Sequence, residues 1–235
     1  MKDESGFRGF PRECVQFYEK LAKNNSKAWF DAHKDDFEAY VMAPARSFVY
    51  AMGKRLSQIT PGVVADPRVN KSIFRPYRDT RFSNDKRPYK THLGIFFWVG
   101  PLAKMDCPGY YFHLEPPVVM LGVGNHCFSK EILELYREAV VDPDQGPALM
   151  KALQAIRNKG NYEIGIRHYK KVPRGYDKDH PNADLLLFNG LTAAYQTSIP
   201  PELHSGDFVE YAFARFSEMR PIVDWLLHMI SRPKP

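Results

Sequence analysis

The chain of 235 residues holds only three cysteines, Cys14, Cys107 and Cys127. An odd number without a CxxC pair excludes a disulfide-stapled scaffold and points to reduced thiols in a reducing compartment. Long apolar runs are also missing. The longest, Leu93 to Leu102, is about half of what a membrane helix needs, so no membrane partner is expected. The start, MKDESGFRGF, has no apolar signal core, so secretion is not indicated and a cytoplasmic location is the default. There is no Walker A loop, GxGxxG, nucleophile elbow or kinase signature, and the motif-based case for those activities falls away. No repeat, low-complexity tract or Gly/Ser linker divides the chain.

Hydrophobic residues make up 44% and aromatics 14%, enough for a substantial core. Helical spacing predicts a first helix over Arg12 to Lys23, broken by Asn24-Asn25. Asn25 or Ser26 then caps a second helix with a Trp29, Phe30, His33, Phe37 and Tyr40 stripe. Pro44 opens a third. The middle differs: Ser72 to Tyr77, His92 to Val99, Gly109 to Glu115 and Val118 to Val123 are aromatic and β-branched, as strands are. Pro76 and Pro88 belong at an edge or in a loop. Helical patterning returns after Ser129 and over Pro147 to Asn158, with a short helix before Gly190. Thr192 to Ile199 alternates as a strand, and Ser205 to Ile230 is expected as a helix pair broken or bent at Pro221. Helices, strands, then helices predict one α+β domain over residues 1–235: a central, mostly antiparallel sheet covered by helices from both terminal segments. Residues 1–8 and 232–235 are expected to be flexible ends.

Charge is concentrated in one place. Residues 68–90, RVNKSIFRPYRDTRFSNDKRPYK, carry eight basic side chains against two acidic ones, a surplus equal to the net charge of +6 of the whole chain. Phe74, Phe82, Tyr77 and Tyr89 are threaded through it, which argues for an ordered anion-binding surface. Arg75, Arg78, Arg81, Lys86 and Lys90 are the candidate anion ligands, because guanidinium forks and lysine point charges suit phosphate or carboxylate. Asp79, Thr80 and Tyr89 are candidate orienting groups. Asp79 and Asp85 are equally suited to pair with the arginines, in which case the segment is a salt-bridged scaffold. A second basic stretch runs from Arg167 to Lys178. Asp177, Asp179 and His180 within it fit a turn leading into a helix better than a calcium loop.

His113 and Glu115 alternate onto one face of a strand, with Tyr111 beside them. Histidine next to a carboxylate is a usable acid/base pair, and these two are the candidate catalytic residues. No cofactor is expected and no metal is assigned. His92, His113, Glu115 and His126 fall on neighbouring strands and suit zinc or iron by type. However, the chain has no HxxxH or HExxH spacing, and nearby arginines repel a cation.

NNSKAWF (Asn24 to Phe30), FRPYRDTRFSNDKRPYKTH (Phe74 to His92), GYYFHLEP (Gly109 to Pro116) and GYDKDHP (Gly175 to Pro181) run in order along nearly the whole chain. In these segments it resembles the bacterial and fungal family catalogued as domain of unknown function 2461. The resemblance implies α+β character and marks Asn24, Asn25, Trp29, Phe30, Arg75, Arg78, Asp79, Arg81, Phe82, Lys86, Pro88, Tyr89, Lys90, His113, Glu115 and Pro116 as motif positions. It brings no activity. After Pro116 the chain has Val118, Val119 and Met120 where the family is expected to be richer in glycine.

These observations favour a phosphate-recognising protein, with a small anionic ligand or phosphorylated or nucleotide substrate held by the basic segment and His113 and Glu115 as acid/base groups. The alternative is a nucleic-acid-binding module, in which basic and aromatic residues interleave along a polyanion. A third reading is a structural or partner-binding domain whose motifs only hold the fold.

Overall fold

The computed structural model describes residues 6–165 and 167–232. The expectation of flexible ends lies outside the described residues for 1–5 and 233–235, whereas Phe7 is buried. Helix α1 spans Arg12–Lys23 and buries Cys14, Phe17, Tyr18 and Leu21. Asn24 closes it, its side-chain amide donating to the Lys20 carbonyl. Ser26 opens α2 (Lys27–Ala32), its Oγ accepting from the Trp29 N–H at 3.2 Å. The single helix expected here is interrupted: α3 is one turn (Lys34–Asp36), and a π-helical turn over Phe37–Met42 leads into α4 (Ala43–Leu56). Pro44, in the first turn of α4, lacks the N–H that a regular helix would return to Tyr40, so the widened turn falls where that bond is missing.

Strands β1 (Leu93–Trp98), β2 (Gly109–Glu115) and β3 (Val118–Asn125) follow. Helices α5 (Lys130–Val141) and α6 (Gln145–Arg157), the short β4 (Glu163–Ile164) and a 3-10 turn over Ala183–Leu187 precede β5 (Leu191–Ser198). The sheet is antiparallel, in the order β1-β2-β3-β5-β4. Ser72 to Tyr77 is not a strand. Only Ile73 and Tyr77 bridge, to Ile95 and Tyr89, because Pro76 and Pro88 have no donor to extend a ladder. The expected break at Pro221 is also absent: α7 runs unbroken over Phe208–Ser231. Phe216, Met219, Ile222, Val223 and Leu226 are buried along it, and burial of that stripe outweighs one lost backbone bond.

The chain packs as two compact units. The first holds the residues up to Phe97, Tyr111–Leu121 and Gln196–Ala214. Its core is a cluster of Phe7, Phe10, Phe48, Phe112 and Phe208, with ring centroids 5.2–6.2 Å apart. Edge and tilted ring contacts of this kind each add about 0.5–1.5 kcal/mol beyond area burial. The second unit holds Trp98–Tyr110, Gly122–Tyr195 and the chain from Arg215. Three of its polar side chains are satisfied by backbone: Tyr136 donates to the Leu185 carbonyl at 3.1 Å, Trp225 Nε1 to Gln145 at 3.0 Å, and Asn182 Nδ2 to Val140 at 3.0 Å.

Candidate functional site

The basic segment folds as an irregular hairpin in the first unit. The Lys90 N–H donates to the Pro76 carbonyl at 2.8 Å and the Arg78 N–H to Pro88 at 2.9 Å, closing its base. Asn25 fixes that base from outside. Its amide nitrogen donates to the Tyr89 carbonyl at 2.9 Å, and its oxygen accepts the Tyr89 N–H at 3.0 Å. The Tyr89 ring lies flat on Phe30, with centroids 4.0 Å apart and planes 7° apart. Tyr89 is therefore a buried anchor of the hairpin. Trp29 is half-buried and stacks on His33 at 4.0 Å.

A three-residue clip recurs. In Asp66-Pro67-Arg68, Asp79-Thr80-Arg81 and Asp85-Lys86-Arg87, the carboxylate accepts both the backbone N–H and the guanidinium of the arginine two residues on. Their side-chain bonds hold the Asp66 and Asp79 carboxyls down at about 2, and that of Asp85 lower still. Arg78 also reaches Asp85, so two guanidiniums share one carboxylate oxygen at 2.7 Å each. Of the five predicted anion ligands, Arg78 and Arg81 are thus turned inward onto carboxylates. Arg75, Lys86 and Lys90 form no ion pair among the described residues, although the charge of Arg75 helps to lower Asp79. Lys86 Nζ donates to the Thr80 carbonyl at 2.9 Å, and Lys90 lies 5.3 Å from the centre of the Phe74 ring. Of the predicted orienting groups, Asp79 is held by Arg81 and Thr80 presents its carbonyl to Lys86. Burial, and then the Arg75 charge, pulls the Lys90 ammonium below the usual lysine value.

A polar patch on β2 lies within electrostatic reach. Tyr111, His113 and Glu115 share the less buried side of the strand, while Phe112 and Leu114 point into the core. Tyr111 Oη lies 3.1 Å from His113 Nδ1, and His113 Nε2 lies 3.4 Å from Glu115 Oε2. Thr91 Oγ1 donates to Glu115 Oε1 at 2.7 Å, and the His92 ring is 4.3 Å from that of His113. Gly94 makes room for this arrangement, since a Cβ there would sit 2.7 Å from the Tyr111 hydroxyl. Burial drives the His92 imidazole down to about 4, with the neighbouring His113 adding to the effect. It also lowers His113, only partly offset by Glu115. Burial pushes the Glu115 carboxyl up, but hydrogen bonds from Thr91 and His113 and the charge of the two imidazoles leave it below its usual value. The pair is therefore a neutral imidazole against a carboxylate. Tyr111 is pushed up to about 12 by burial and then by Glu115. Arg87 feels the charge of Glu115, and His92 that of Lys90.

The ligand atoms of His92, His113 and Glu115 all lie within 4.8 Å of one another; His126 is not among them. Two surface depressions, of about 50 Å³ beside Trp29 and Tyr40 and about 240 Å³ beside Met150 and His180, contain no residue of the patch. The Asp177 group forms the expected turn, with the Asp179 N–H on Asp177 Oδ1 and the Asn182 N–H on His180 Nδ1. Arg167, of the second basic stretch, pairs with Asp184.

Sequence reasoning missed Thr91 and the Asn25 clamp, and it offered arginine pairing of Asp79 and Asp85 without the repeating form of the clips. The D-x-R spacing, present three times, was the available signal for the clips. A lone glycine inside the β1 pattern was the signal for close approach at Gly94. Nothing local marked Thr91 or the pairing of Asn25 with a residue 64 positions away. No described helix is long and apolar enough to cross a membrane. Searches of curated proteins and of solved structures find no significant match. A family model described as conserved hypothetical protein DUF2461 matches residues 13–225, nearly the whole of the chain that carries the hairpin, the clips and the β2 patch, and the chain belongs to that family.

Proposed function

We propose that the protein binds a phosphate-class anion at the uncompensated cations of the hairpin, beside the Tyr111–His113–Glu115 patch. One observation carries this reading. Arg75 and Lys90 sit close enough for Arg75 to depress the Lys90 ammonium, Lys90 is partly buried, and neither forms an ion pair with a carboxylate, although the charge of Arg75 is felt at Asp79. Like charges held together with part of their hydration removed are unfavourable, and a bound anion relieves both costs. Lys86, exposed on the same hairpin, adds a third donor. The clips give the arrangement rigidity: with Arg78, Arg81 and Arg87 held on carboxylates, the hairpin presents its remaining cations from a fixed frame. His113 and Glu115 supply proton-transfer capacity next to the anion, with Tyr111 and Thr91 fixing their orientation.

A calorimetric and thermal-shift titration with inorganic phosphate tests this. The wild type is expected to bind and to gain about 2.7 kcal/mol at a hundredfold excess over Kd. Arg75→Gln and Lys86→Gln weaken binding at least tenfold, and Arg68→Gln, on a clip outside the hairpin, leaves it unchanged. Absence of binding, or equal binding by Arg75→Gln, overturns the reading.

A second reading rests on Phe82. It is 95% exposed at the hairpin tip, with the Arg81 guanidinium 5.7 Å from its ring centre. Aromatic rings presented among cations are the stacking platforms of single-stranded nucleic-acid binders.

A further inference from the structure

We propose that His92, His113 and Glu115 form a binding site for one divalent transition-metal ion of the zinc or iron(II) kind. The inference concerns the cluster itself; only the occupant of the open coordination position rests on the anion reading above.

Two imidazoles and one carboxylate are a donor set that these ions accept with positions left open for water or another ligand. Metal–ligand bonds of about 2.0–2.2 Å at tetrahedral angles place ligand atoms about 3.3–3.5 Å apart. His113 Nε2 and Glu115 Oε2 are already at 3.4 Å. All three ligand atoms lie within 4.8 Å of one another, so the widest pair must draw in by up to about 1.5 Å to bind one ion.

The groups behind the ligands carry the argument further. Ligating histidines are held through their second nitrogen, and ligating carboxylates through their second oxygen. Here His113 Nδ1 is held by the Tyr111 hydroxyl, leaving Nε2 as the ligand atom. Glu115 Oε1 is held by the Thr91 hydroxyl, leaving Oε2. Where Nε2–H donates to Glu115, a metal ion takes the place of that proton between the two atoms, and Nδ1–H then donates to the Tyr111 hydroxyl. Three of the arginines that would repel such an ion are engaged elsewhere, with Arg87 and Arg78 sharing Asp85 and Arg81 on Asp79, while Lys90, whose charge reaches His92, and Arg75 remain. A divalent ion with one carboxylate keeps a charge of +1, and an anion drawn by Lys90 and Arg75 would complete its coordination.

The test uses tag-free, chelator-stripped protein titrated with Zn²⁺, and with Co²⁺ as a spectroscopic probe. One equivalent is expected to bind, Co²⁺ giving the intense visible bands of four- or five-coordination. His113→Ala and Glu115→Gln lose affinity at least a hundredfold. Tyr111→Phe, which removes a supporting group and no ligand, loses about 10–100-fold. His126→Ala retains wild-type binding. Circular dichroism on each variant separates lost binding from lost fold. Failure of the wild type to bind either ion, or binding that survives His113→Ala and Glu115→Gln in folded protein, overturns the proposal. Repeating the phosphate titration with and without metal separates the two readings: phosphate binding without metal binding sinks this inference alone, and metal binding without phosphate binding sinks only the anion reading.

Discussion

Asn25 is a short polar side chain between two helices, and its effect is felt 64 residues away. Its amide offers one donor and one acceptor to the backbone of Tyr89, as a neighbouring strand would, at a point where the hairpin has no such neighbour. Tyr89 is buried, so its N–H and carbonyl would otherwise be left without partners. Asn25→Ala is expected to destabilise the protein by about 1–3 kcal/mol, the cost of orphaning buried backbone groups. Asn25→Asp keeps the acceptor and loses the donor, so it should fall between. Urea unfolding of the three proteins checks this ordering, and an unchanged midpoint for Asn25→Ala would show that the clamp contributes nothing. The sequence marked Asn25 as a turn former and Tyr89 as an orienting group, and neither reading contained the pairing between them. Through-space pairing of a side chain with distant backbone leaves no periodic trace, whereas the alternation that put His113 and Glu115 on one face does.

At the scale of elements, period and punctuation carried most of the information. Helix α1, strands β2 and β3, and helix α6 stand within a few residues of their predicted bounds, because each buries a regular stripe. The misplacements fall at prolines: Pro44 with the widened turn before it, Pro76 and Pro88 with bridges in place of a strand, and Pro221 inside an unbroken helix. Proline fixes what a backbone cannot do, while packing decides what it does instead. Two of the clips brace the hairpin and one the segment before it, and all three depend on pH. The folded values of Asp79 and Asp66, about 2, lie below the unfolded value of about 3.9. Their contribution is therefore complete above about pH 4 and is lost as the pH falls through about 2. The amide signals of Arg81 and Arg87, which donate to Asp79 and Asp85, should hold steady down to about pH 3 and move below it. Movement centred near pH 4 would mean that the clips do not form in solution.

Over the whole molecule, the charges outside residues 68–90 cancel in sum. Removing the eight basic and two acidic residues of 68–90 from totals of 33 and 27 leaves 25 of each sign. The net long-range attraction of an anionic partner thus equals the surplus of this segment. The α+β class followed from the order of elements. The division into two compact units did not, because each is assembled from separated stretches of chain and no linker marks a boundary. The number of cations available to a partner was equally hidden: composition counts charges, and only geometry shows which are already compensated. That number decides between the two functional readings. With Arg75, Lys86 and Lys90 as the free contacts, single-stranded nucleic acid would bind with a log–log salt slope of about −2, at about −0.7 per neutralised phosphate. Engagement of all eight cations would require the clips to open and would give a slope steeper than about −5. Fluorescence anisotropy with a labelled oligonucleotide between low and physiological salt measures it. A shallow slope together with competition by millimolar phosphate is the expected result. A steep slope, with affinity lost in Phe82→Ala, would make the hairpin a nucleic-acid tip and end the small-anion reading.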